Sequence, residues 1–152
     1  MTTGWMLWNG LLLLCFAPTS PCLSHGAVFL LAGPVQAETA PLTTLFSADN
    51  TYVVRYRTEP NPIPLNAEFN LHIWVSADEA GGPVAGEFSL AVDARMPQHR
   101  HGMNRRPKLT AMGKGEFLAE GLLFHMPGKW ELYLDITADG LTERAQCVIQ
   151  LD

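Results

Sequence analysis

"KWELYLDITADGLTERAQCVIQL", residues 129–151, alternates apolar and polar residues on both sides of an Asp-Gly pair. Trp130, Leu132, Leu134 and Ile136 fall at every second position, the period of a strand with one buried face. "ADGL" (138–141) supplies the turn, because Asp-Gly accepts the positive φ of a primed hairpin turn. On the second arm Ala145, Cys147, Ile149 and Leu151 repeat the same phase.

The two-residue period runs back along the chain, and helical periodicity is scarce. "TYVVRYR" (51–57) reads as a strand. "AEFNLHIWV" (67–75) puts Phe69, Leu71, Ile73 and Val75 on one face. "EFSLAVDA" (87–94) turns Phe88, Leu90, Val92 and Ala94 inward and Glu87, Ser89 and Asp93 outward. "LTAM" (109–112) and "EFLAEGLLF" (116–124) flank a tight "GKG" turn. About seven short strands bounded by Gly and Pro turns specify an all-β fold, an immunoglobulin-like antiparallel β-sandwich.

The N-terminal end differs in kind. No Asp, Glu, Lys or Arg occurs from Met1 to Ala37. "GWMLWNGLLLLCFAP" and "GAVFLLAG" are apolar runs, and "VQA" (35–37) has the small residues of a signal-peptidase site. Residues 1–37 are therefore expected to be a signal peptide or an uncleaved anchor, although no basic residue precedes the apolar core. Neither run reaches the roughly 20 residues of a membrane-spanning helix. Residues 38–50 read as a loosely held lead-in, and 51–152 as the sandwich. The expected location is the periplasm or another exported site, with anchoring by the N-terminal segment as the alternative.

If Cys15 and Cys22 leave with the signal, Cys147 stands alone, no internal disulfide forms, and Cys147 is a small buried core residue. Ten Lys and Arg against 15 Asp and Glu give a formal net charge of −5, which argues against nucleic acid as a partner.

Chain direction locates a candidate site. Successive antiparallel strands run in opposite senses, so the loops at 59–66, 95–108 and 125–129 share one end of the sandwich. "MPQHRHGM" (96–103) and "HMPG" (125–128) then meet. Together they offer Met96, His99, His101, Met103, His125 and Met126. Thioether sulfur is soft and suits Cu(I), imidazole suits Cu(I) and Cu(II), and the mixture points to copper. No carboxylate lies between Asp93 and Glu116, which excludes an all-oxygen calcium site there. No Cys lies nearby, which argues against structural zinc and blue copper.

His99 and His101 are i and i+2, and in extended chain both face one side. Pro97 stiffens the approach, and Gly102 permits a turn returning Met103 beside them. His99, His101 and Met103 rank first as ligands; Met96, His125 and Met126 rank second. The competing structure is a packed, metal-free loop, with Met96 plugging the sandwich end and Met126 in the core beneath its turn. His72 alternates against Leu71 and Ile73 and reads as a structural or surface histidine, and Met112 as packing.

Arg95, Arg100, Arg105, Arg106 and Lys108 put five of the ten basic residues in this segment. Cations raise the electrostatic cost of binding a metal, least for monovalent Cu(I). They suggest a second function class: a metal-free interaction module whose basic loop docks an acidic partner or anion. No Ser/His/Asp setting or close carboxylate pair is visible, so an enzyme is not expected. The oligomeric state is not legible.

The motifs M-P-x-H-x-H-G-M, G-x-G-x-[FY] and F-x-M-P-G-x-W, carried by "MPQHRHGM" and "GKGEFLAEGLLFHMPGKWELYLDI", resemble the YtkA-like domain family, related to FixH-like domains. The likeness covers roughly 67–151. It implies an exported or membrane-anchored β-sandwich linked to copper handling or cytochrome oxidase assembly, with a copper acceptor or membrane protein as partner. Its motifs fall on Met96, His99, His101, Met103 and Met126. The chain is also faintly similar to periplasmic Cu(I) chaperones that end their ligand set in H-x-M, but here His125 and Met126 are adjacent.

Overall fold

A computed structural model describes residues 41–152; the signal-peptide expectation for residues 1–37 lies outside them. The described chain forms nine strands: β1 (Thr43–Phe46), β2 (Val53–Glu59), β3 (Glu68–Ser76), β4 (Phe88–Met96), β5 (His101–Gly102), β6 (Lys108–Gly113), β7 (Glu116–Leu123), β8 (Gly128–Ala138) and β9 (Leu141–Leu151). A one-turn 3-10 helix, Pro97–His99, separates β4 from β5. Two antiparallel sheets result, ordered β1-β2-β3-β7-β6 and β5-β4-β8-β9. This is the expected all-β sandwich. No helix among the described residues is long and apolar enough to cross a membrane.

The strand count exceeds the expected seven by two. Thr43–Phe46, inside the lead-in, pairs with β2, and Ser47 bridges Ala145 of β9. Backbone pairing recruits this stretch, which carries too little apolar alternation to read as a strand. The other addition is β5, where His101 and Gly102 pair with Met96 and Arg95 inside a segment expected to be loop.

The core follows the alternation. Phe69, Leu71, Ile73 and Val75 from one sheet meet Leu90, Ala94, Trp130, Leu132, Leu134 and Ile136 from the other, all buried. Burying each large apolar side chain stabilises the fold by roughly 1.5–3 kcal/mol. The β8–β9 hairpin turns at Asp139 and Gly140, both at positive φ, as the Asp-Gly pair requires. Cys147 is half-buried and packs against the core, and its Sγ lies 3.2 Å from the Tyr56 hydroxyl. Met112 departs from expectation. It is 61% exposed on edge strand β6, where no opposing sheet covers it.

The loops after β2, β4 and β7 lie at one end, as chain direction requires. The Asn66 amide donates to the Phe124 carbonyl at 2.8 Å, tying the β2–β3 loop to the β7–β8 turn.

Candidate functional site

β4 enters the site with Met96, whose register partner is His101. Directly opposed residues of an antiparallel pair project to the same face. Met96 is 1% exposed, so that face is the core side. The chain then makes its 3-10 turn with Pro97 in the first turn, where fixed φ and the missing N–H cost nothing. Arg100 closes the turn at φ 54, its amide donating to the Pro97 carbonyl at 3.1 Å.

This turn replaces the extended His99-x-His101 geometry expected from the sequence. His99 sits exposed in the turn, and His101 is half-buried at the start of β5. The two rings still approach to 5.8 Å between centroids. Gly102 does not make the expected turn. It lies in β5, where an added Cβ would come within 3.2 Å of the Ala94 carbonyl oxygen. Glycine lets the two backbones close, and the Met103 amide then donates to the same carbonyl at 3.1 Å. Met103 is half-buried and packs against the core.

From the other sheet, β7 runs out through Phe124 into His125 and Met126 before β8 begins. His101 and His125 lie 5.2 Å apart between ring centroids, although 24 positions separate them. Both rest edge-on against Trp130, at 6.1 and 5.4 Å, and Phe124 stacks on the same indole at 4.5 Å. The indole N–H donates to the Met126 carbonyl at 2.9 Å, which fixes the β7–β8 turn. Trp130 was legible as a core residue, but its service as the floor under both histidines was not. The only signal was its place in the F-x-M-P-G-x-W motif.

His101 Nε2 and His125 Nδ1 are buried and have no hydrogen-bond partner. A buried polar nitrogen left unpaired costs about 1–3 kcal/mol, so two together are unusual in a structure built for packing alone. A metal ion lies about 2 Å from an imidazole nitrogen, which lets two rings on one ion stand up to about 6 Å apart between centroids. Both histidine pairs fall inside that span. Among the described residues no three His, Cys, Asp or Glu gather into a metal-holding group. An ion here would need thioether sulfur to complete its shell. Met103 and Met126, two and one positions after His101 and His125, are half-buried against the core, while Met96 lies within it, where its Cε would meet a Cβ on Gly128 at 2.9 Å. The plug expected as the competing structure for Met96 is what its burial supports.

His72 behaves as a surface histidine, with Nε2 3.0 Å from a Glu59 carboxylate oxygen. The basic segment is partly neutralised. Arg95 pairs with Asp93 at 3.0 Å, Lys108 with Glu120 at 3.4 Å, and Arg105 with Glu68. Arg100 and Arg106 have no carboxylate in ion-pair range among the described residues. Burial pushes the Cys147 thiol pKa up, and the Tyr56 hydroxyl only partly opposes that.

A model of the YtkA-like family matches residues 46–135, more than half of the chain. No curated protein and no solved structure matches it.

Proposed function

The chain belongs to the YtkA-like family, and from that premise we propose that it is an exported copper-binding protein that carries or buffers Cu(I) and catalyses no reaction. Copper is its cargo. His101 and His125 would supply imidazole nitrogen, Met103 and Met126 thioether sulfur, and His99 stands at the mouth as an entry ligand. Met96 would support the site from below. One observation carries this proposal: two buried, unpartnered imidazole nitrogens held against one indole by turns from opposite sheets.

Soft sulfur and neutral nitrogen favour Cu(I) over Zn(II) or Ca(II), and monovalent copper suffers least from Arg95, Arg100 and Arg105 nearby. Each thioether bond is modest, so an acceptor protein can take the ion by ligand exchange. The N-terminal apolar segment supports export, to the periplasm or to a membrane surface.

Competition with a chromophoric Cu(I) chelator tests the assignment. The wild-type chain is expected to hold one Cu(I) with a Kd of about 1 µM or lower, equivalent to about 8 kcal/mol. His101→Ala/His125→Ala is expected to weaken it at least about 100-fold, or about 2.7 kcal/mol. Unchanged affinity in that double variant refutes the site.

A further inference from the structure

On one side of the second sheet most of β4 is the edge. Its neighbour there, β5, is two residues long and covers Arg95 and Met96. The Ala94 carbonyl accepts the Met103 amide at 3.1 Å, and the Ala94 amide donates to the Asp93 carboxylate at 2.9 Å. In an antiparallel sheet a residue's N–H and C=O point the same way, and the direction reverses at each residue. Leu90 and Val92 therefore share the direction of Ala94, away from β8. Among the described residues no strand pairs with them on that side. Edges of this kind are normally blunted by proline, lysine or a bulge, because they template the addition of another strand. "FSLAVDA" (88–94) contains neither proline nor lysine.

A groove of about 830 Å³ runs along this edge. Leu90, Val92 and Leu109 give it an apolar wall. Arg95, Arg100, Arg105 and Arg106 line it against a single carboxylate, that of Asp93. Asp93 and Glu68 answer Arg95 and Arg105, so Arg100 and Arg106 carry the uncompensated charge.

We propose that the open edge of β4 is a strand-addition site for an extended acidic segment of a partner protein. The segment's backbone pairs with Leu90 and Val92, its alternate apolar side chains pack on the Leu90–Val92–Leu109 wall, and its carboxylates meet Arg100 and Arg106. Strand addition fits this surface better than a free anion does. A free anion would use the guanidinium groups but neither the apolar wall nor the unpaired backbone. His101 and Met103 also line the groove, so a docked segment would lie beside the His/Met cluster. The docking itself does not require metal.

The test is fluorescence anisotropy with the full-length chain, a copper chelator present, and a fluorescein-labelled octapeptide alternating glutamate and valine. Binding is expected to saturate, and to weaken at least about tenfold in Arg100→Ala/Arg106→Ala. Two further peptides carry backbone N-methyl groups at odd or at even positions, and at least one should lose binding about tenfold, since methylation removes the donors of one strand edge. Backbone amide shifts on titration should centre on residues 88–94. No binding, equal binding of a lysine-for-glutamate peptide, or full binding of both methylated peptides would overturn the proposal.

Discussion

Replacing His101 with phenylalanine separates a ligand from a structural histidine. In the apo protein His101 Nε2 is buried without a partner, at a cost of about 1–3 kcal/mol. Phenylalanine removes that nitrogen and keeps a flat ring edge-on to Trp130. Its ring is larger than imidazole at the buried end, so an overpacking cost of about 1 kcal/mol is set against that gain. The net expectation is a gain of about 1 kcal/mol. For a domain of this size that raises Tm by about 3–6 °C. Copper should act in the opposite sense. In the wild type, Cu(I) at about 100 times its Kd adds about 2.7 kcal/mol to the folded state. In His101→Phe that increment should nearly vanish. Thermal unfolding followed by circular dichroism, with and without Cu(I) under reducing conditions, reads both numbers. An apo variant less stable than wild type by more than about 1 kcal/mol would mean that the nitrogen has a partner and a structural role. A full copper-dependent rise in the variant would refute its place as a ligand.

Three further outcomes are expected. Trp130→Ala should cost about 3–5 kcal/mol by urea unfolding, since the side chain is fully buried and carries both histidines and Phe124; a loss under about 1 kcal/mol would contradict the central packing role. Gly128→Ala should destabilise by about 1–3 kcal/mol, because φ is +120° and the new Cβ would meet Met96 Cε at 2.9 Å. Measured in a Met96→Ala background, Gly128→Ala should cost less by the steric share alone, and a cost near zero there would show the backbone to be unstrained. Finally, burial raises the pKa of both the Cys147 thiol and the Tyr56 phenol, so the fold favours their protonated forms. That contribution is complete below their ordinary values and is lost as pH rises through the folded ones. Iodoacetamide labelling of Cys147, followed by peptide mass mapping, should therefore reach its half-maximal rate above the ordinary thiol value of 9.0; a midpoint at or below 9.0 would contradict it.

The alternation of Phe69 to Val75 and of Trp130 to Ile136 determined the core faces without any structure. Side-chain direction in a strand follows from backbone geometry one residue at a time. Chain direction likewise determined that residues 96–103 and 125–128 lie at one end. The tertiary structure decided everything that depends on contacts between distant residues. Thr43–Phe46 is a strand because β2 offers it an edge. Met96 belongs to the core, although it opens the histidine motif, because Gly128 and the far sheet close over it. His99 turns outward while His101 and His125 turn in, because a 3-10 turn breaks the extended spacing and Trp130 gives the inner two a common floor. Which arginines remain uncompensated was settled by Glu68, a residue nearly forty positions from the Arg105 it answers. Periodicity is a property of neighbouring residues, whereas a donor set and a docking edge are properties of separate strands brought together.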